Sequence, residues 1–197
     1  MRRIRKTSVA EILTLEELTQ IERLLFKNAC EVRLNAQAPY SRYRVGCAIV
    51  TDSPKVGIVR GCNVENVNWS ESVHAEENAI SSMISLIGPS KIVAIAVVGA
   101  PEDKQVIWPP KTTSVPENLE IQDLCPSCGH CLQVIAENCY NTDGLFDPKI
   151  PLLGYKTKGN CNFFYLTTIG DAYPMPFLPQ HLGVNYANNR RLKERSQ

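Results

Sequence analysis

Apolar side chains recur along the chain with two different spacings, which predict helices and strands. Between residues 14 and 33 they return every three or four positions, the spacing of an amphipathic helix. These apolar positions are Leu18, Ile21, Leu25 and Val32. Thr14 followed by Glu17 has the form of a capping box, so we expect the helix to begin at Thr14.

Short apolar runs predict five strands, and we expect the strands at residues 43–50 and 92–98 to be buried. The runs cover residues 43–50, 56–59, 92–98, 152–155 and 163–168. Further helical patterns cover residues 73–87, stopped by Gly88 and Pro89, and residues 128–137. Residues 63–72 are polar and predict a loop. Because strands and helices alternate, we expect an α/β sandwich with a mixed sheet.

Two segments show little periodicity and predict irregular structure. Residues 101–124 contain four prolines and are interpreted as a surface insertion, and residues 173–183 are also rich in proline. We expect one domain over residues 14–183, including the insertion 101–124. Residues 1–13 are interpreted as an N-terminal extension and residues 184–197 as a basic C-terminal tail.

Charge and hydrophobicity restrict the partners of the protein. Its 197 residues include 21 Lys and Arg against 20 Asp and Glu, a net charge of +1, so no broad attraction to nucleic acid or an anionic membrane is expected. No apolar run approaches the roughly 18 residues that cross a bilayer. A soluble cytoplasmic protein is expected, and its eight cysteines are interpreted as packed thiols or metal ligands.

Two separated motifs carry candidate metal chemistry. His74-Ala75-Glu76 and Cys128-Gly129-His130-Cys131 offer one nitrogen and two sulfur ligands, leave a fourth position open, and add a carboxylate that is not a ligand. If the ligands lie in the first turns of helices, the helix dipoles favour thiolates. In a regular helix Glu76 projects about 200° from His74. Both side chains therefore reach one pocket only if His74 lies at the entry to the helix.

A closed structural zinc site is the alternative. It would combine Cys125 with Cys128, Cys131 and one histidine, although His130, between the two cysteines, is poorly placed to join them. Taken alone, His-x-Glu is also compatible with a surface pair, and a single Cys-x-x-Cys with a zinc knuckle or a redox pair.

The motifs occur in an order that resembles the cytidine deaminase family between about residues 18 and 183. The matching blocks are residues 38–46, 61–66, 74–76, 128–133 and, more weakly, 176–183. This resemblance implies a three-layer α/β/α sandwich with a mixed central sheet and a Zn²⁺ cofactor. It also implies hydrolytic deamination of cytidine or deoxycytidine in pyrimidine salvage, by a homo-oligomer for which a tetramer is favoured over a dimer.

The resemblance also implies roles for individual residues. The zinc ligands would be His74, Cys128 and Cys131. Glu76 would be the catalytic proton shuttle. Four residues would bind substrate: Asn63, Glu65, Tyr43 and Ala75. Asn63 and Glu65 match an Asn-x-Glu that holds the ribose 3′-hydroxyl, and Tyr43 takes the place of a phenylalanine on the pyrimidine face. Without the flanking blocks, an ordinary polar turn and a core aromatic would explain these residues.

Several positions depart from the usual family pattern. Many short members have a cysteine at the position of His74 and an arginine at that of Glu77. In this chain a neutral imidazole replaces the thiolate, and the arginine cation that would compensate the thiolate charge is also absent. Ser127 replaces a proline and Leu132 replaces an arginine. Cys125 and Cys128 also form a Cys-x-x-Cys pair, but Gln133 favours Cys128 and Cys131 as the family motif.

Two other functions remain as alternatives. A related zinc deaminase would act on a modified cytosine nucleoside, a nucleotide or an RNA base, although the phosphate-bearing substrates require a cationic groove that the net charge does not indicate. A non-catalytic, zinc-stabilised interaction module would keep the cysteines but would not need Glu76.

Overall fold

Six strands pair into one mixed sheet in the part of the chain that the computed structural model describes, which is residue 3 with residues 6–124 and 127–185. The strands are β1 (Ala10–Leu13), β2 (Tyr43–Thr51), β3 (Ile58–Cys62), β4 (Ile92–Pro101), β5 (Pro151–Lys158) and β6 (Cys161–Thr168). The helices are α1 (Gln20–Arg33), α2 (Ala75–Ile87), α3 (Gly129–Asn138) and α4 (Ile169–Ala172), with 3-10 turns at Trp69–Glu71, Ile121–Asp123 and Pro179–Leu182.

The strand order is β1-β6-β5-β4-β2-β3. β4 and β5 run parallel, whereas every other neighbouring pair is antiparallel. The parallel pair is separated in sequence by the segment that includes α3, as a crossover connection requires. The predicted α/β fold with a mixed sheet is therefore confirmed.

Helices cover both faces of the sheet and give the three predicted layers. On one face, Cys47 and Ile49 of β2 pack with α2, α3 and α4. On the other face, the intervening Ala48 packs with α1. Because side chains alternate across a strand, a strand covered on both sides is apolar at nearly every position. This explains the continuous apolar run that predicted β2.

Two glycines allow helices to approach the sheet closely. A β-carbon at Gly46 would lie 2.1 Å from the carbonyl oxygen of Ala29 in α1. On the opposite face, a β-carbon at Gly61 would lie 2.3 Å from the backbone nitrogen of Ala79 in α2. Real β-carbons do not come this close to backbone atoms, so both helix positions depend on glycine in the strand.

The start of α1 was predicted wrongly. The helix begins at Gln20, and its capping box is formed by Thr19 and Glu22. Thr14 and Glu17 do hydrogen-bond to each other, but in a turn that precedes the helix. Ile21, which was assigned to the apolar face, is 44% exposed.

The boundaries of the sheet also differ from the sequence pattern. β1 was not predicted, and its residues fall within the segment 1–13 that was interpreted as an extension; it pairs with β6 along the edge of the sheet. β3 covers Ile58–Cys62 rather than residues 56–59. Its register with β2, from Val50 opposite Ile58 to Gly46 opposite Cys62, places Val56 in the connecting turn.

The segment 101–124 is anchored on the α1 face of the sheet. Trp108 lies against Phe26 of α1 and Phe164 of β6, with ring centroids 6.0 and 5.9 Å apart. Lys158 of β5 donates to Asp123 at 2.6 Å near the end of the segment. The chain thus crosses one face of the sheet before it reaches α3 on the other. No helix within the described residues is long and apolar enough to cross a membrane.

Candidate metal centre

His74 lies where the chain enters α2, in backbone that is not yet helical. It is the N-cap residue, with φ −77° and ψ 156°, and its side chain makes no capping hydrogen bond. Glu76 follows in the first turn of the helix. The extended backbone at His74 removes the angular separation that two residues of a regular helix would impose. This is the arrangement that the sequence analysis required for both side chains to serve one site.

The two motif cysteines lie at the start of α3. Cys128 is the N-cap residue, and Cys131 lies in the first turn. The Nδ1 atom of His74 is 3.2 Å from Sγ of Cys131 and 3.4 Å from Sγ of Cys128. All three ligand atoms lie within 4.8 Å of one another. Two helix N-termini therefore meet at one cluster, where their dipoles favour thiolate ligands.

Glu76 lies beside this cluster and is nearly inaccessible to solvent, at 5% exposure. The hydroxyl of Ser127 donates a hydrogen bond to Oε1 of Glu76 at 2.6 Å. Below it on the sheet, burial and the nearby Glu76 carboxylate raise the pKa of Cys47. Burial, with Glu76 and Cys128 close by, also raises the pKa of Cys131. Ionisation of Cys131 therefore requires a compensating cation at this cluster.

His130 is directed towards a different partner. Its Nε2 lies 3.4 Å from Oε2 of Glu77, and its ring centroid is 5.7 Å from that of His74. Among the residues that the structure describes, the group able to hold a metal consists of His74, Cys128 and Cys131. Cys125, the alternative ligand, lies outside the described residues.

Asn63 and Glu65 follow β3 and lie next to the metal cluster in the fold. Val64, between them, forms a backbone bridge with Val73, the residue before His74. The side chain of Asn63 donates to the carbonyl of Tyr43 at 2.9 Å and accepts from the backbone N–H of Val45 at 2.8 Å. Asn63 thus fixes the start of β2 against the loop that leads to His74.

Glu65 is buried beneath the turn that precedes β2. Its Oε2 accepts from the backbone N–H groups of Tyr40 and Ser41 at 3.0 and 3.1 Å, and its Oε1 accepts from the Ser41 hydroxyl. Burial acts to raise the pKa of this carboxyl, but the hydrogen bonds from Ser41 and Tyr40 outweigh it and lower the pKa. The group is therefore held as a carboxylate with fixed geometry.

Tyr43 and Ala75 lie on the same side of the sheet as the cluster. Tyr43 alternates with Val45 and Cys47 on the face that carries α2, and it is 40% exposed. Its ring covers Gly99 of β4, where a β-carbon would lie 2.8 Å from Cε1 of the ring. Ala75 is buried between His74 and Glu76, above Gly61. The structure therefore brings the three predicted metal ligands together, and it links Asn63 and Glu65 to the strand that carries Tyr43 and the turn before it and, through Val64 and Val73, to the start of α2.

The contacts of two residues were missed by the sequence analysis. Ser127 was noted only as a replacement for proline, and Cys47 only as a scattered thiol. The position of Ser127 directly before Cys128 was an available signal, because a side chain next to a ligand is within reach of the same centre. Nothing local distinguishes Cys47, whose place near Glu76 depends on the packing of α2 against β2. Leu132, at the position of the family arginine, packs in the core.

A family model and several curated proteins match this chain. A family model described as the zinc-binding region of cytidine and deoxycytidylate deaminases matches residues 19–142. The chain is 34% identical to a cytidine deaminase of Halalkalibacterium halodurans over 116 residues, which cover 59% of this chain and 70% of that protein. It is 31% identical to one of Mycobacterium tuberculosis over 115 residues, covering 58% and 69%.

A solved structure supports the same relationship at the level of the fold. The crystal structure of a cytidine deaminase from Burkholderia pseudomallei matches with a TM-score of 0.53 and 29% identity, and the match covers 81% of this chain and all of that one. The family match spans more than half of the chain and includes the His-x-Glu and Cys-x-x-Cys motifs. The chain belongs to the cytidine deaminase family of zinc-binding enzymes.

Proposed function

We propose that this enzyme catalyses the hydrolytic deamination of cytidine or deoxycytidine to uridine or deoxyuridine, with release of ammonia. The observation that carries the proposal is the cluster of His74, Cys128 and Cys131 at two helix N-termini, with the carboxylate of Glu76 beside it. A catalytic zinc site has three protein ligands of this kind and an open fourth position. The family membership directs the chemistry to cytosine derivatives.

The three ligand atoms fit a zinc ion. With Zn–S bonds of about 2.3 Å and Zn–N bonds of about 2.0 to 2.1 Å, tetrahedral geometry separates a nitrogen from a sulfur by about 3.6 Å. The observed separations of 3.2 and 3.4 Å are close to this value. The donor set also fits, because two thiolates and one neutral imidazole balance the charge of a dication.

Glu76 is proposed to move the protons of the reaction. A zinc ion held by His74, Cys128 and Cys131 would acidify a water molecule and so supply a nucleophile at neutral pH. Glu76 would accept a proton from the attacking water and deliver it to N3 of the cytosine ring, while the water oxygen bonds to C4. The same carboxylate then takes the proton of the new C4 hydroxyl and transfers it to the leaving amine, so that the C4–N bond breaks, ammonia departs and a C4 carbonyl remains. The burial of Glu76 supports this role, because it shields the proton from bulk water.

A nucleoside rather than a free base is the proposed substrate. Asn63 and Glu65 are proposed to hold the ribose 3′-hydroxyl. Glu65 suits this role because its carboxylate is kept ionised and its Oε1 retains a further lone pair that can accept a hydrogen bond from the hydroxyl. Tyr43 is proposed to pack on the pyrimidine face, which its partial exposure allows, and Ala75 to line the pocket between His74 and Glu76.

We further propose that the enzyme acts in pyrimidine salvage in the cytoplasm, as a homo-oligomer in which a tetramer is favoured over a dimer. The catalytic domain is proposed to cover β1, which pairs with β6 in the same sheet, together with residues 14–183, including the insertion 101–124. The contact between subunits is proposed to use exposed apolar side chains. They include Val67, Trp69, Met175 and Phe177.

The proposal is tested by adding cytidine or deoxycytidine to the purified protein and following the loss of ultraviolet absorbance, with and without a chelator. Deoxycytidylate is tested in parallel. Wild-type protein is expected to deaminate the nucleosides, and Glu76→Gln is expected to lose at least about 100-fold in kcat while keeping about one zinc per chain. Glu71→Gln, an exposed glutamate in the loop before α2, is the matched control and should retain activity.

Different outcomes point to the alternatives. A zinc-loaded protein that converts no cytosine nucleoside or nucleotide would support a non-catalytic module. Turnover of deoxycytidylate alone would support the related deaminase with a different substrate. Full activity of Glu76→Gln would remove Glu76 from the proton-transfer role.

A further inference from the structure

Ser127 connects the two helix starts that form the metal cluster. It lies directly before Cys128, the N-cap residue of α3, and its Oγ donates to Oε1 of Glu76 on α2 at 2.6 Å. Glu76 is almost fully buried, and Ser127 is half-buried. The bond therefore ties the carboxylate to the segment that carries the cysteines.

This contact has a direct effect on the orientation of the carboxylate. The terminal torsion of a glutamate side chain is broad, so an unrestrained carboxylate samples many orientations. A hydroxyl has one proton to donate, and a hydrogen bond from it to a carboxylate is short and strong. Holding Oε1 restricts rotation of the carboxylate about its terminal torsion and so limits where Oε2 can lie.

We propose that Ser127 is a positioning residue for deamination: it holds Oε1 of Glu76 so that Oε2 is the oxygen that exchanges protons with the substrate. The inference rests on the proposed function. A proline, the usual family residue at this position by resemblance, has no hydroxyl and cannot make the bond. In this chain the orientation of the proton shuttle thus depends on a side chain that is neither a metal ligand nor in contact with the reacting atoms.

The test compares Ser127→Ala and Ser127→Thr with wild type, in the zinc-loaded protein and with cytidine as substrate. Ser127→Ala is expected to lower kcat by about 10- to 100-fold, the usual effect of removing a residue that supports a metal site, with KM within about twofold of wild type. Ser127→Thr keeps the hydroxyl and is expected to recover most of the loss. Ser70→Ala is the control, because its exposed hydroxyl bonds to Asn68 rather than Glu76.

Metal binding is measured independently of turnover. Zinc content should remain about one per chain in each variant, and the visible absorption bands of the cobalt-substituted protein should be the same in Ser127→Ala as in wild type, because the donor set is unchanged.

Three results would overturn the inference: wild-type kcat in Ser127→Ala, loss of metal or altered cobalt bands in that variant, or a threonine variant no better than alanine. Wild-type protein is assayed first. If it converts no cytosine nucleoside, the proposed function fails, whereas an active wild type with an equally active Ser127→Ala contradicts the positioning role alone.

Discussion

The pairing of His74 with Glu76 depends on the conformation of a single residue. Because the backbone of His74 is extended, its imidazole reaches the cysteines of α3 while Glu76 stays in the first helical turn. The two motifs alone predicted that His74 would lie with Cys128 and Cys131. The side-chain partners of Asn63 and Glu65 could not be predicted, because the segment they bind, residues 40–45, is separated from them by about twenty positions and meets them only in the folded chain.

Single substitutions can identify which cysteines bind the metal. Cys128→Ala should reduce zinc from about one per chain to a small fraction, because two protein ligands bind zinc far more weakly than three. The measurement is metal content after dialysis against a defined free zinc concentration.

Cys125→Ala is the matched control and should keep its zinc. Loss of zinc in Cys125→Ala would instead place Cys125 among the ligands, either in the closed site or in the pair that it forms with Cys128.

At the scale of elements, α2 and α3 were predicted well and α1 was not. Both α2 and α3 begin where a motif residue enters an apolar helical pattern, so the chemistry and the periodicity agree. Before α1, Thr14 with Glu17 and Thr19 with Glu22 are both capping patterns. Packing decides which of the two patterns begins the helix. Leu18 is buried ahead of α1, and its N–H donates to the carbonyl of Leu15 in a turn.

β1 shows a different limit of sequence patterns. It has only four residues, and its register is set by the partner β6. A segment this short carries too few alternating positions to predict a strand, and pairing with a distant neighbour decides its conformation.

The close approach of α2 to β3 gives a prediction for this scale. Gly61→Ala places a methyl group against the backbone of Ala75 and Ala79, so the start of α2 must move, and the free energy of unfolding should fall by about 1 to 3 kcal/mol. Since Ala75 separates His74 from Glu76, kcat should fall as well. Denaturant unfolding and steady-state kinetics measure the two effects.

Gly57→Ala is the matched control for this substitution. A β-carbon at Gly57 meets nothing within 4 Å, so stability and kcat should stay near wild type. If both variants behave alike, the position of α2 does not depend on the missing side chain at Gly61.

At the scale of the whole molecule, the cluster joins parts of the chain that are far apart in sequence. His74 and Cys131 are separated by 57 positions, which include β4 and the segment anchored by Trp108 on the opposite face. A metal held by both helices acts as a crosslink between them in the folded state. The two layers differ in this respect, because among the described residues α1 is held to the sheet by apolar and aromatic packing and by hydrogen bonds from Arg33 to the carbonyls of Arg44 and Ala100, whereas the candidate metal ligands all lie on the other layer.

Metal removal should therefore destabilise the molecule unevenly. Zinc present at 1,000 times its Kd adds about 4 kcal/mol to the free energy of unfolding, so a chelator should lower Tm, whereas Cys128→Ala protein should show no chelator-dependent change. Hydrogen exchange should quicken first at the starts of α2 and α3, with α1 and its strands less affected. An unchanged Tm, or equal loss of protection in α1, would show that the fold does not use the metal as a link between the two helices.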